Sequence, residues 1–250
     1  LDCPRAVDCT LAWLIAAMWG VSLLAIWRSW SHILQAATVT GIVALAASIC
    51  LDQHRLQVWA WEFLWIQLFV LLATPRIAIW SCRVLVVGIY FYSAISKFDC
   101  GFMQTQGPWL TEGLCRAVGI GSPRWGPGTG WGYLVFPLGE VLLAVCLAWR
   151  RWQRWGVALS VVMHTALLLS LGPWGWQQRP GVLLWNLYFL LTVPVLFWTK
   201  RSEIAADVPG EASAGTRMSA GDLLSRLVAI GLGLWPACEG WQLCDHWPAW

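Results

Sequence analysis

Charge is what this sequence has least of. Of its 250 residues only 12% are Asp, Glu, Lys or Arg, 58% are hydrophobic, and the mean hydropathy is +0.61. So little polar surface cannot cover a soluble globule of this size, which excludes that class and places the chain in a bilayer. The net charge of +3 is scattered among loops, without the basic stripe that a nucleic-acid partner needs. There is no Gly-rich phosphate loop, no His-x-x-x-His or Glu-x-x-His pair and no Cys-x-x-Cys, so the sequence offers no motif for a nucleotide, a metal or a dithiol redox centre. It also lacks an internal repeat strong enough to argue for inverted halves.

What is present is apolar length. Eight runs approach the roughly 20 apolar residues that a helix needs to cross a bilayer core. They cover residues 11–27, 33–51, 58–73, 77–95, 131–149, 155–171, 182–198 and 223–238, the third and eighth being short. The expected fold is therefore all-α, a polytopic transmembrane helix bundle of about eight spans. Residues 1–201 form the main bundle, 202–221 a flexible cytoplasmic linker rich in Ala, Gly, Ser and acids, and 222–250 a last span with an outward segment. Both chain ends are read as cut from a longer protein, and the first run is not read as a cleaved signal peptide. Many of the 22 tryptophans fall where a run meets a loop, the place of interfacial anchors.

Basic residues in short loops stay on the cytoplasmic side. Arg150, Arg151 and Arg154 after the fifth run, and Lys200, Arg201 and Arg217 after the seventh, place both loops there. Counting back turns the N-terminus, the 52–57 loop, the 98–130 segment and the C-terminus outward, the periplasmic side of a bacterial inner membrane. Six cysteines, Cys3, Cys9, Cys100, Cys115, Cys238 and Cys244, then share the outward face, where disulfides among them are expected without a readable connectivity. Cys50 sits at an outer helix end, and Cys82 and Cys146 toward the inner half.

Ionisable groups inside apolar runs are costly and mark candidate sites. Tyr90, Ser93 and Lys97 fall at i, i+3 and i+7, one stripe of a helix that can face a protein interior. On position alone Lys97 snorkels to the interface; partly desolvated between helices, its amine can serve as a base. Glu140 lies mid-span behind Pro137 and Gly139, which can open the helix locally. A carboxylate there must be neutral, paired or wet. His164 has Ser160 on its own face at i−4, and a neutral imidazole satisfied by one hydrogen bond is its plain account. Arg83 is expected to snorkel to the near side. Asp52 and His54 belong to the densest polar loop, which can lower its groups into the mouth of the bundle, with Asn186 and Arg179 toward the same half.

The run Tyr-Phe-Tyr-Ser-Ala-Ile-Ser-Lys-Phe-Asp from Tyr90, followed by Trp109 and Gly113, Glu140, the basic loop 150–154, His164 and Ser-Leu-Gly at 170–172, resembles the membrane domain of vitamin K-dependent gamma-carboxylases and their HTTM relatives. It is also similar to the DoxX and MauE group of redox-associated membrane proteins. The resemblance spans roughly residues 51–198. It implies the position of the base for Lys97, and the expected pocket, in the outer half, is built from Lys97, His54, Asp52, Glu140 and His164, the catalytic candidates being Lys97 as base with Glu140 and His164 orienting it or relaying protons. Tyr90, Ser93, Asp52 and His54 are the candidate cofactor-binding groups. The cofactor would be an isoprenoid quinone of the vitamin K or menaquinone type, without metal or nucleotide; the partners would be the bilayer and an external redox or substrate protein. No large outward domain for a protein substrate lies in the chain. The alternative role is a non-catalytic component supporting a partner's disulfide or electron-transfer maturation, and a further one a small-solute transporter with Glu140 and His164 as proton relay.

Overall fold

The structure, a computed structural model, describes residues 5–28, 31–51, 58–121, 130–198, 218–234 and 236–237. Every regular element among them is helical. In chain order they are α1 (Arg5–Trp27), α2 (Ser31–Leu51), α3 (Val58–Leu72), α4 (Pro75–Ile95), α5 (Cys100–Gln104), α6 (Gln106–Ala117), a 3-10 turn (Gly130–Leu134), α7 (Val135–Ala148), α8 (Gln153–Leu171), α9 (Pro180–Trp198) and α10 (Ala220–Leu234). Five stretches are long and apolar enough to cross a membrane: α2, α4, the 3-10 turn with α7, α8 and α9. The apolar parts of α1 and α3, Cys9–Ser22 and Ala60–Leu72, are shorter. At 15 residues, α3 and α10 reach only about 22 Å, short of a hydrocarbon core about 30 Å thick. The chain is thus a polytopic helical membrane bundle, and among the described residues five spans are both long and apolar enough to cross. Trp131, Trp149, Trp155 and Trp198 stand exposed at helix ends, as interfacial anchors do.

The described residues divide into two compact units, and the division cuts α4 after Cys82 and α10 after Val228. In the first unit α2 packs against α1 and α3. The buried face of α2 is built of small residues, Ala37, Thr38, Gly41, Ala44 and Ser48, with Leu45 and Ile49. Small side chains let helices approach closely where lipid gives no hydrophobic drive for helix association. Thr38 satisfies its hydroxyl within its own helix, donating to Leu34 O at 2.8 Å. Glu62 of α3 is buried, and it is an acid inside an apolar run that sequence reasoning passed over.

The start of α10 is fastened in this same unit. Ser219 Oγ accepts from the Asp222 N–H at 3.0 Å, while the Asp222 carboxylate accepts from both the N–H and the hydroxyl of Thr74, at 2.8 and 2.9 Å. Gly221 lies against the Leu72 carbonyl, where a Cβ would collide with it. Asp222 therefore supplies, from another helix, the acceptor for the backbone N–H of Thr74, the residue that leads into α4. Burial works against its charge, but the hydrogen bonds from Thr74 and Ser219 outweigh that and hold the carboxyl below its ordinary value of 3.8. A depressed carboxyl stabilises the fold fully above the ordinary value and ceases to do so as pH falls through the folded one. The stability gap between wild type and Asp222→Asn, measured by unfolding in detergent, is expected to be widest near neutral pH and to close below pH 3.8. A gap independent of pH would mean that Asp222 acts without its charge.

In the second unit α8 packs between α7 and α9, and α6 lies against α8. Its core joins Val86 and Tyr90 of α4, Leu143, Ala144 and Leu147 of α7, Val157 of α8, and Phe189, Val193 and Phe197 of α9. Arg83, expected to snorkel, donates from Nε to the Leu196 carbonyl at 2.9 Å and lies 5.5 Å from the centroid of the Phe197 ring. The last carbonyls of a helix lack intrahelical partners and carry its negative pole, so this cation caps α9.

Candidate functional site

Four helices of the second unit bring the candidate residues together. The helical turns of α4 end at Ile95, and Lys97 N–H closes a turn onto Ala94 O at 3.0 Å. From there the lysine side chain folds back one turn. Its Nζ lies 2.7 and 2.8 Å from the two carboxylate oxygens of Glu140 and 3.1 Å from the Ser93 carbonyl, and it also donates to Ser93 Oγ. Ser93 Oγ in turn donates to Glu140 Oε2 at 2.9 Å. Four oxygens thus surround an ammonium that has three protons to give. The side chains of Lys97 and Glu140 are only 12% and 10% exposed, which makes this a buried ion pair and not a surface one.

Glu140 reaches this position from an unbroken helix. Pro137 and Gly139 were expected to open α7 locally, yet α7 is continuous over Val135–Ala148. Pro137 is its third residue, in the first turn, where a missing N–H breaks no intrahelical bond. Asp99 does not join the pair: its carboxylate caps α5 by accepting from the Phe102 N–H.

The third residue of the stripe turns to a different cluster. Tyr90 OH lies 2.7 Å from His164 Nε2 and 3.1 Å from Ser160 Oγ, and His164 Nδ1 lies 3.1 Å from Asn186 Oδ1. One backbone group sets the direction of this chain. Asn186 Nδ2 donates to the Val182 carbonyl at 2.9 Å, so Oδ1 must accept; Nδ1 then carries the imidazole proton and Nε2 accepts. Tyr90 accordingly donates to His164, and Ser160 donates to Tyr90. The His164 ring is stacked on Phe189, 5.3 Å between centroids and 7° from parallel, which fixes its plane. This chain ends at a carbonyl that can only accept. It orients four buried side chains, and an amide is not a group that passes a proton on.

The sequence-level candidates therefore separate. Lys97, Glu140 and Ser93 form one cluster, and Tyr90 and His164 another, with Ser160 and Asn186 as the partners that complete it. Asp52 and His54 lie outside the described residues. The expected disulfides are not found at Cys9, Cys100 or Cys115, which are free thiols, as are Cys50, Cys82 and Cys146; Cys3, Cys238 and Cys244 lie outside the described residues. Among the described residues no group of three or more His, Cys, Asp or Glu could hold a metal ion.

Beside the site, α5 and α6 lie along the ends of α7 and α8. Phe102 meets Phe136 edge-on at 6.2 Å. Ser170 Oγ donates to Leu110 O at 2.8 Å, and Trp176 Nε1 to Trp109 O at 2.7 Å, with the two indoles stacked 5.5 Å apart. Gly113 is where this contact needs a glycine, since a Cβ there would collide with Trp176 and Ser170 Oγ. Trp109, Gly113 and the Ser-Leu-Gly run, which in the sequence stood only as parts of a resemblance, are thus one packing contact.

A family model described as Methylamine utilisation protein MauE matches residues 75–182. No curated protein and no solved structure matches the chain significantly. The match runs from the first residue of α4 into α9 and encloses Tyr90, Ser93, Lys97, Glu140, Ser160 and His164, while Asn186 lies four residues past its end. It bears out the MauE part of the expected likeness, and the carboxylase and HTTM part draws no support from these comparisons.

Proposed function

We propose that the protein is a membrane component that supports the disulfide or electron-transfer maturation of a partner protein, and that the Lys97–Glu140 pair is a charged recognition site and not a catalytic base. The observation that carries this reading is the saturation of the lysine. An ammonium that gives its protons to both Glu140 oxygens and to Ser93 has no lone pair with which to abstract a proton. It is well placed to exchange one of those oxygens for one belonging to an incoming group. The likeness to MauE over residues 75–182 supports a redox-associated setting, and the exposed free thiols of Cys9 and Cys100 are groups that a maturing partner could meet.

The test is the thiol state of the cell's proteins, read by alkylation and mass spectrometry with and without the chain. At least one protein is expected to accumulate in its reduced form when the chain is missing. An unchanged thiol state throughout would contradict the reading. A bound isoprenoid quinone is the second reading, and it rests on the likeness noted in the sequence, Tyr90 and Phe189 being packed in the core of the second unit. It requires a stoichiometric quinone in extracts of the purified protein that Lys97→Ala depletes.

A further inference from the structure

We infer that the turn between α7 and α8 is a docking surface for acidic phospholipid headgroups, made by Arg150, Arg151 and Arg154 set among Trp149, Trp152 and Trp155. The stretch Gly130–Ala148, which ends α7, and Gln153–Leu171, which is α8, are both long and apolar enough to cross a membrane, and only residues 149–152 join them. Two spans joined so closely return to the same membrane surface, so the turn between them lies at headgroup depth. The sequence there reads Trp-Arg-Arg-Trp-Gln-Arg-Trp from Trp149 to Trp155, and all three tryptophans and all three arginines are exposed.

The turn is closed by its own hydrogen bonds. Trp149 N–H donates to Val145 O at 3.0 Å, Trp152 N–H to Trp149 O at 2.8 Å and Gly156 N–H to Trp152 O at 3.0 Å, while Gln153 Nε2 reaches back to Leu147 O at 3.1 Å. Gly156 lets α8 approach α7 closely, since a Cβ there would collide with Leu147. The Trp149 and Trp152 rings lie 6.1 Å apart. Among the described residues none of the three arginines makes an ion pair, and no Asp or Glu occurs in the sequence from Val141 to Ser202. The described acids of this unit are engaged elsewhere: Glu140 on Lys97, Glu112 on Arg116 and Asp99 on the Phe102 N–H. Arg154 is the second residue of α8, at the helix end whose positive pole disfavours a cation, so its charge does not serve the helix. A guanidinium presents a fork of donors that matches two phosphate oxygens. The interleaved indoles settle at headgroup level and hold those forks in the phosphate layer, which is what favours a lipid over a soluble acidic protein. The surface does not depend on the role proposed above.

The full chain is reconstituted in vesicles of equal parts dioleoylphosphatidylglycerol and dioleoylphosphatidylethanolamine and released into a mild detergent at low salt, and the lipids it retains are counted by native mass spectrometry. The acyl chains are the same, so the ratio of the two lipids reads the headgroup alone. Wild type is expected to retain phosphatidylglycerol over phosphatidylethanolamine. Arg154→Gln should lower that ratio roughly fivefold, the contribution of one basic residue near an acidic surface, and the triple change Arg150→Gln/Arg151→Gln/Arg154→Gln should bring it close to parity. Arg179→Gln removes an exposed arginine from the connection between α8 and α9, at the other end of α8, and should leave the ratio unchanged. All these positions are exposed, so each variant should keep the wild-type melting temperature in detergent. The surface is overturned if wild type retains the two lipids alike, which would leave the arginines to an acidic protein, if the triple variant keeps the wild-type ratio, or if Arg179→Gln lowers the ratio as much as Arg154→Gln.

Discussion

Glu140→Leu is expected to destabilise the protein by about 3–5 kcal/mol, because it strands the Lys97 ammonium in a buried site with only Ser93 left to it. The reverse single change, Lys97→Met, should also be costly, since it leaves the carboxylate with the Ser93 hydroxyl alone. The double change Lys97→Met/Glu140→Leu removes both charges together and should return to within about 1 kcal/mol of wild type, as apolar replacements of buried pairs commonly do. Unfolding of the four proteins in mixed micelles gives the coupling directly. Additive single effects would mean that the two groups do not meet. This arithmetic bears on function as well: a pair that apolar residues can replace at little cost in stability is not there chiefly to hold the fold.

His164→Ala is the second large effect, expected at about 3–5 kcal/mol, the range for deleting a large buried ring. Cavity and hydrogen-bond terms contribute unequally here. Interhelical hydrogen bonds in membrane proteins average only about 0.6 kcal/mol and reach about 1.7. Losing the bonds to Tyr90 and Asn186 therefore accounts for the smaller share, and losing the ring stacked on Phe189 for the larger. Tyr90→Phe keeps its ring and loses two interhelical bonds, to His164 and Ser160, so it should cost about 1.2 kcal/mol, twice that average. A Tyr90→Phe as damaging as His164→Ala would show that the hydroxyl chain, and not the packing, holds α4, α8 and α9 together.

The polar stripe of α4 was legible because helical periodicity alone places Tyr90, Ser93 and Lys97 on one face. The partners that divide that stripe were not legible. Glu140 lies 43 residues from Lys97 and His164 lies 74 from Tyr90, and no local pattern says which distant polar group each will meet. Sequence reading accordingly joined into one pocket residues that the packing of α7 and α8 sorts into two clusters. Ser160 was visible as a neighbour of His164 and Asn186 only as a polar group of the same half, and their roles depend on the Val182 carbonyl, a backbone group with no signature in the sequence. Arg83 was read by its distance from the helix end; the helix that intercepts it, α9, is 113 residues away. Glu62 was hidden among the tryptophans of α3, and Asp222 stood at the first residue of the expected last segment with no role given to it, although it anchors the start of α10. The apolar runs themselves were legible because bilayer thickness sets their length, and α3 and α10, the two 15-residue helices, were the two noted as short in the sequence.

The most direct measurement is the thiol state of the cell's proteins, where the proposed partner would show itself, in cells carrying Lys97→Arg beside Lys97→Met, with folded protein verified in both membranes. Arginine keeps the positive charge and cannot be deprotonated in a protein, so it can replace a recognition charge but not a base. The expected result is maturation retained with Lys97→Arg and lost with Lys97→Met. Maturation lost alike in both folded variants would contradict the recognition role and return Lys97 to the position of a catalytic base.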